Sequence, residues 1–267
     1  MTSERYTHGH HESVLRSHTW RTAKNSAAYL LPVLEAGQTL LDVGCGPGTI
    51  TLELAQLVAP GRVIGVDAAA DVIEKAAALA DDRGVGNVEF IVGDAYALDL
   101  PDDSVDVIHA HQVLQHLGRP VEALREWRRV VRPGGVVAAR DVDYAGTIVH
   151  PQYTGIDEWA ALYQQVHRSN GGEPDAGRRL KQWAREAGFA EVDAFASVWG
   201  FASDEDRAWW GGMWADRVLQ SAFAHDAIGK GFATRADLER ISAAWADWAA
   251  DPDSWMAMPH GEILARG

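Results

Sequence analysis

The stretch Leu40-Leu41-Asp42-Val43-Gly44-Cys45-Gly46-Pro47-Gly48-Thr49 decides the fold. Its first four residues predict a buried strand, and three glycines at alternate positions then turn the chain into a helix that begins near Thr49. Glycines in such a turn let the backbone approach a ligand, and the N-terminus of the helix offers N–H groups to an anion. We therefore expect a ligand with nucleotide-like chemistry at this turn.

The segments that follow repeat this strand-and-helix pattern as far as residue 144. The later strands are predicted at RVIGVD (62–67), VEFIVGD (88–94), VDVIHAHQV (105–113) and VVAARDVDY (136–144). Strands that are apolar on both faces, each followed by a helix, indicate a parallel sheet covered on both sides. The pattern predicts an α/β fold with a doubly wound, mostly parallel sheet.

Two carboxylates follow predicted strands at positions that suit a nucleoside. Asp67 ends the second strand, where a carboxylate can accept both ribose hydroxyls, and Asp94 follows the third strand, where it can accept from an adenine amino group. The glycine spacing is GxGxG, whereas the dinucleotide fingerprint is GxGxxG with a third glycine for helix packing. Thr49 breaks that fingerprint, which argues against a nicotinamide cofactor without excluding it.

Five motifs in this order and at these distances carry a family resemblance: LLDVGCGPGT, VIGVD, FIVGDA, VDVIHAHQVLQHL and RPGG. They resemble the class I S-adenosylmethionine-dependent methyltransferases, and among these the ubiquinone/menaquinone-type branch. The resemblance is tight over residues 39–144 and looser through the final strand. It implies a seven-stranded sheet of order 3-2-1-4-5-7-6 with strand 7 antiparallel, and S-adenosylmethionine as the cofactor.

The resemblance also implies roles for individual residues around the cofactor. Asp42, Gly44 and Gly46 would line the methionyl part, Asp67 the ribose, Asp94 and Ala95 the adenine, and His111 the wall beside the reactive sulfonium. Asp42 would face the amine of the cofactor, or would only brace the glycine turn, because both tasks suit a buried carboxylate near N–H groups.

Composition excludes several classes of function. The chain has 267 residues, 47% of them hydrophobic, and 24 Lys and Arg against 38 Asp and Glu give a net charge of -14. This charge repels polyphosphate backbones, so we expect no nucleic-acid partner. No apolar run is long enough to span a bilayer, and the single cysteine, Cys45, is too little for a disulfide or a thiolate metal site, so we expect a cytoplasmic protein without a membrane partner.

The chain is expected to divide into three parts. Residues 1–38 would form an N-terminal helical cap or flap, residues 39–144 the cofactor-binding core, and residues 145–267 the substrate side with the last two strands. A strand at 190–199 and a final strand at 254–266 would enclose a helical lid at about 202–253. Nine of the 11 tryptophans lie after residue 144, so this second half is built differently.

Three residues are candidate general bases, and each has a plainer alternative. His111 lies near the carboxyl end of the fourth strand, where open α/β sheets bind ligands. Asp143 shares its side of the fifth strand with Asp141, and paired carboxylates raise one pKa, although both could be solvated loop acids. His10 belongs to a polar tail that could be disordered or could close on the cofactor. His109 and His111 share one face, but no third ligand is fixed, so no metal site is expected.

The remaining candidates concern the cofactor carboxylate and the acceptor. Arg21 could reach the carboxylate of the cofactor. Arg178 could hold an acidic group of the substrate or be a surface charge, and Tyr144 ends the fifth strand beside the predicted site. Trp209 and Trp210 are adjacent and cannot point to one helix face, so one of them should lie in a pocket or interface. Trp214 is grouped with these two as a substrate-side candidate.

The sequence therefore predicts an enzyme that transfers a methyl group from S-adenosylmethionine to a small, apolar or aromatic acceptor by in-line displacement. Aromatic walls would suit a cationic or a π-rich acceptor. A nicotinamide-dependent oxidoreductase and a non-catalytic cofactor-binding module are the alternatives. Methylation at carbon, nitrogen or oxygen, and assembly as a homodimer, are left open.

Overall fold

A computed structural model describes residues 20–267, and in this part of the chain eight strands form one sheet. The strands are β1 (Thr39–Val43), β2 (Arg62–Asp67), β3 (Val88–Val92), β4 (Val105–His111), β5 (Val131–Val142), β6 (Ile148–His150), β7 (Glu191–Phe201) and β8 (Trp255–Arg266). The first five are parallel in the order β3-β2-β1-β4-β5, and β8 is antiparallel to β5. β7 pairs along the other edge of β8. The predicted strands 6 and 7 are β7 and β8, so the predicted order 3-2-1-4-5-7-6 is confirmed.

The short strand β6 is an addition that the sequence analysis did not predict. It pairs with residues 255–257 of β8, beyond the part of β8 that pairs with β5. A strand of three residues carries too little periodicity to be recognised in a sequence.

The described helices are α1 (Ala23–Ser26), α2 (Thr49–Val58), α3 (Ala70–Arg83), α4 (Pro120–Val130), α5 (Thr154–Ser169), α6 (Leu180–Ala187), α7 (Asp204–Gln220), α8 (Ala222–Gly229) and α9 (Arg235–Ala250). Alternation along β1 sends Leu41 to the face of the sheet that packs with α4 and α6, and Leu40 to the face that packs with α1 and α2. Both faces are therefore covered, as a parallel sheet requires.

A helical cap, formed by α5, α7, α8 and α9, has its own apolar core. Ser203 and Thr234 begin α7 and α9 as capping boxes, since each side chain accepts from a backbone N–H three residues on while the acid there reaches back. Trp159, Trp245 and Trp248 of the cap are at most 2% exposed. Burying such large rings holds the cap together and against the β7–β8 side of the sheet.

None of the helices in residues 20–267 combines the length and the apolarity that a bilayer crossing needs. The same residues contain no group of three His, Cys, Asp or Glu side chains that could hold a metal ion. Most of the predicted N-terminal flap, with the candidate base His10, lies outside the described residues.

Candidate active site

A cavity of about 380 Å³ opens at the carboxyl ends of β1, β2 and β4, under the first turns of α7. This size lies within the range of small-molecule pockets. One half is formed by the glycine turn and the ends of β2 and β3. The other half is formed by side chains of the N-terminal segment, β4, the turn after β5, β7, α7 and β8: Trp20, Arg21, His111, Tyr144, Trp199, Trp209, Trp210, Arg217 and Met258.

The glycine turn has the geometry that its sequence predicts. Gly44, Gly46 and Gly48 have φ values of 68°, 54° and 82°, a region that side chains rarely tolerate. A Cβ on Gly44 would collide with the Val113 side chain, and a Cβ on Gly48 would lie 2.9 Å from Cζ of Phe90. Gly48 is the N-cap of α2, so the first N–H groups of that helix face the turn. Gly44 and Gly46 line the cavity, where no side chain of theirs lies between the backbone and a ligand.

Asp67 lines the cavity and joins the glycine turn to the backbone after β2. Its Oδ2 accepts from the N–H of Gly46 at 3.1 Å, and its Oδ1 accepts from the N–H of Ala69 at 3.0 Å. A carboxylate has about four lone-pair sites, so both oxygens can still accept from a vicinal diol. The geometry fits the ribose role that the resemblance implies.

The two residues expected beside the adenine, Asp94 and Ala95, differ in whether they border the cavity. Ala95 and its neighbour Gly93 line the cavity, whereas the Asp94 side chain is exposed and is not among the lining residues. Asp94 Oδ1 accepts from the N–H of Tyr96 at 2.9 Å, which shapes the turn after β3.

Asp42 lines the cavity but is also held from within the protein. Its Oδ1 lies 2.7 Å from Nδ1 of His109, and its Oδ2 accepts from Oγ1 of Thr51 at 2.5 Å. Asp42 is 2% exposed and His109 is fully buried. Asp42 is thus held by β4 and the first turn of α2 and still borders the cavity, so both alternatives for its role remain predictions. His109 pairs with Asp42 through Nδ1.

His111 is a buried polar residue at the cavity wall whose surroundings suit a general base. The residue is 6% exposed and borders the cavity, and neither ring nitrogen has a hydrogen-bond partner among residues 20–267. Burial, together with the nearby charges of Arg21 and Arg140, holds the pKa of His111 well below its usual value. The imidazole is therefore neutral near pH 7 and can accept a proton.

Gln112 is a site residue that the sequence analysis missed. It has a φ of 56° although it is not glycine, and its Oε1 accepts from Nη2 of Arg21 at 2.7 Å while its Nε2 lies 3.0 Å from Nε2 of His260. Strained backbone of this kind gathers at functional sites. No local pattern marks it, because its partners lie 91 and 148 residues away in the chain.

The structure contradicts two predicted roles by pairing the residues with each other. Nε and Nη2 of Arg178 each donate to a carboxylate oxygen of Asp143 at 2.5 Å. Neither residue borders the cavity. Asp143 is therefore wrong as a catalytic base and Arg178 is wrong as an acceptor-binding residue, because both are used in one bidentate ion pair outside it.

The three tryptophan candidates of α7 occupy different surroundings. Trp209 and Trp210 line the cavity, as does Tyr144. Trp214 is fully buried in the cap, with its ring centroid 4.7 Å from that of Trp159, so its assignment to substrate binding is wrong. The helical period of α7 directs the Trp214 side chain into the apolar core of the cap.

Two further rings complete the aromatic wall and were not predicted as site residues. Trp199 of β7 lies 5.5 Å from the His111 ring, and Trp20 lies 5.1 Å from Trp199 and 5.3 Å from Trp209, centroid to centroid. Trp199 Nε1 donates to the carbonyl of Asn25 at 2.7 Å, which fixes the N-terminal segment over the cavity.

Comparisons with known proteins agree with this geometry. The family described as methyltransferase domain matches residues 34–188. An uncharacterized methyltransferase of Schizosaccharomyces pombe is 35% identical over 270 residues, covering 97% of this chain and 95% of that protein. A demethylmenaquinone methyltransferase of Lactococcus lactis is 30% identical and covers 59% of this chain and 68% of its own length.

A solved structure, the YcgJ protein of Bacillus subtilis, has the same fold with a TM-score of 0.56 at 23% identity, covering 90% of this chain and 97% of that one. The glycine turn, Asp67 and the family match together define a class I S-adenosylmethionine-dependent methyltransferase. This chain belongs to that family, in the ubiquinone/menaquinone-type branch. Its cofactor is S-adenosylmethionine, and the nicotinamide alternative is wrong.

Proposed function

We propose that the protein methylates a small aromatic acceptor that binds between His111 and the ring wall of Trp20, Trp199, Trp209 and Trp210. One observation carries the proposal: these rings come from three separate segments and meet at one side of a cavity whose other side fits the cofactor. Flat apolar walls favour flat apolar ligands. The net charge of -14 continues to disfavour nucleic acid as the acceptor.

The cofactor supplies a methyl group on a sulfonium, which reacts without further activation when a nucleophile is aligned behind it. The N–H groups of the glycine turn and Asp42 would hold the methionyl part, and Asp67 would hold the ribose. Arg21 would hold the cofactor carboxylate, since its guanidinium is fixed by Gln112 at the edge of the cavity. Positioning and exclusion of water then provide most of the rate enhancement.

His111 would act as the general base where the acceptor nucleophile must lose a proton. An imidazole nitrogen accepts that proton as the carbon–sulfur bond breaks and the new bond to the methyl carbon forms. The electron pair of the broken bond stays on sulfur, which leaves S-adenosylhomocysteine. Three observations support this role: a neutral imidazole, ring nitrogens that have no partner among residues 20–267, and a place at the cavity wall.

The experiment is turnover with a panel of phenols, aromatic acids and aromatic amines, read as release of S-adenosylhomocysteine. His111→Gln should lower kcat by about 100-fold with little change in cofactor affinity, because one proton transfer is lost. His150→Asn is the matched control, since His150 is exposed and lies outside the cavity.

The result also separates the proposal from the remaining alternative. A non-catalytic module would bind S-adenosylhomocysteine and yet release none with any acceptor. Equal kcat values for wild type and His111→Gln would leave positioning alone as the source of catalysis.

A further inference from the structure

Three polar residues lie in a row across the sheet behind the acceptor half of the cavity. His111 of β4 is the register partner of Arg140 on β5, and Arg140 is the register partner of Glu262 on β8. Register partners on neighbouring strands point to the same face, and their backbones lie about 5 Å apart. Arg140 is therefore the direct neighbour of the candidate base, although it does not itself line the cavity.

The Arg140 guanidinium is held on one side by β7 and β8. Arg140 is 1% exposed, and its Nε donates to Oε1 of Glu262 at 3.0 Å and to Oγ of Ser197 at 3.1 Å. The two terminal nitrogens of Arg140 have no hydrogen-bond partner among residues 20–267. Burial lowers the pKa of Arg140 only to about 10, so the side chain is a cation at neutral pH. Its charge is compensated through one nitrogen only.

The same guanidinium contacts the aromatic wall of the cavity. Its Cζ lies 4.7 Å from the centroid of the Trp199 ring, and that ring lies 5.5 Å from the His111 ring. Trp199 lines the cavity, and its Nε1 donates to the carbonyl of Asn25. A flat cation beside an indole attracts the ring and limits its rotation. Arg140 thus connects Glu262 to the ring that borders the proposed acceptor.

From the elements around His111, several charged or titratable groups face it or its side of the cavity. They are Arg21, Asp42, His109, Arg140, Arg217, His260 and Glu262. His260 is neutral, because its Nε2 accepts from the Gln112 amide and its Nδ1 donates to the carbonyl of Met258 at 3.1 Å. Burial, Arg21 and Arg140 act against a charge on His111, and the strand register fixes the place of Arg140.

We propose that Arg140 is a positioning residue of the acceptor site: it holds the Trp199 ring beside His111 and keeps the His111 imidazole in the neutral form that accepts a proton. This rests on the proposed function and adds to it a residue that touches neither cofactor nor acceptor. Glu262 and Ser197 fix Arg140 in turn. The flat face of the guanidinium orients the ring, and its charge disfavours the imidazolium.

The first test is an NMR titration of the His111 ring in protein saturated with S-adenosylhomocysteine. His111→Gln identifies the signal among the 11 histidines. In wild type the ring should stay neutral down to about pH 5.5, below the ordinary histidine pKa. The double variant Arg140→Gln, Glu262→Gln removes the cation together with its counter-ion. Its His111 midpoint should rise by about one pH unit, because the nearer charge is the cation.

The second test separates the charge of Arg140 from its flat shape. Arg140→Lys keeps the cation but offers Trp199 no planar group, so the His111 midpoint should stay low. The Trp199 Nε1–H should then exchange with solvent at least about tenfold faster than in wild type, because its bond to the Asn25 carbonyl opens more often. Trp199→Phe identifies this signal.

The matched control is the double variant Arg240→Gln, Glu158→Gln. It removes an exposed ion pair of 3.1 Å between α9 and α5, outside the cavity, and should change neither the His111 midpoint nor the Trp199 exchange rate. A wild-type His111 midpoint at or above about pH 6.5 overturns the proposal, even where an Arg140 variant does not fold. An unchanged midpoint in the folded Arg140 double variant, or unchanged Trp199 exchange in Arg140→Lys, also overturns it.

Turnover distinguishes this proposal from the proposed function. In the Arg140 double variant, the acidic limb of kcat/KM should move to higher pH together with the His111 midpoint, since a base works only when unprotonated. If the midpoint moves and the limb does not, His111 is not the base, and the proposed function fails while the effect of Arg140 on His111 stands.

Discussion

Asp67→Asn is the sharpest test of the cofactor half of the site. The two carboxylate oxygens of Asp67 already accept from the N–H groups of Gly46 and Ala69, and they would accept from the ribose hydroxyls in addition. Asparagine has nearly the same shape but only one acceptor oxygen. Its amide N–H₂ group must then face either a backbone donor or a ribose hydroxyl.

The magnitude follows from this count of acceptors. At least one hydrogen bond between a hydroxyl and a charged acceptor is lost, which is worth about 1.5–3 kcal/mol. Since about 1.4 kcal/mol corresponds to a factor of ten, Kd for S-adenosylhomocysteine should rise about 10- to 150-fold. The turn itself should survive, because Gly44 and Cys45 still donate to the carbonyl of Val66 at 2.7 and 3.0 Å.

Isothermal titration calorimetry with S-adenosylhomocysteine measures the change, and a melting curve without ligand checks that the variant folds. Asp71→Asn is the matched control: Asp71 lies in the first turn of α3, four residues after Asp67, pairs with Lys75 at 3.5 Å and does not border the cavity. Its Kd should stay near that of wild type. A folded Asp67→Asn protein with unchanged Kd would refute the assignment of the ribose to Asp67.

Three further predictions separate core, surface and site. Trp214→Ala should destabilise the protein by about 3–5 kcal/mol in chemical denaturation, since it empties the cap core, whereas Trp209→Ala should mainly raise KM for the acceptor. Arg178→Ala should leave both Kd for the cofactor and kcat unchanged in steady-state assays, because its ion pair with Asp143 lies outside the cavity. The melting temperature of Asp141→Asn minus that of wild type should increase as the pH rises, because burial raises the pKa of Asp141 to about 8. The folded wild type holds a proton up to about pH 8 that the unfolded chain loses near pH 4, so its stability falls as the pH rises between these values. An equal difference in melting scans at about pH 6 and about pH 9 would contradict this.

Most of the strands could be predicted from the sequence because each has a local signature. Runs such as RVIGVD are apolar on both faces and are bounded by turns, and the family resemblance supplied the sheet order. The short strand β6 has no such signature, since its three residues are set by what the edge of β8 offers. Pairing geometry of this kind is a tertiary effect.

The cofactor half of the site could be predicted for the same reason. Glycines at positive φ and a carboxylate at the end of the next strand are requirements on consecutive residues, and Gly44, Gly48 and Asp67 satisfy them. Alternation along a strand, by contrast, could not show that Asp143 would find Arg178, which lies 35 residues further on. Whether a charged residue is paired depends on tertiary contacts, which the local sequence does not show.

The acceptor half escapes prediction because its parts are assembled across the whole chain. Gln112 follows the end of β4 in a left-handed conformation, which is uncommon for a residue other than glycine, and it joins Arg21 of the N-terminal segment to His260 of β8. Trp199 ties the same N-terminal segment to β7. Such contacts depend on which helices and strands meet, whereas the glycine turn depends on consecutive residues. A fold of this kind can keep one cofactor and change its acceptor, and for that reason the acceptor has to be identified from the side chains that line the cavity.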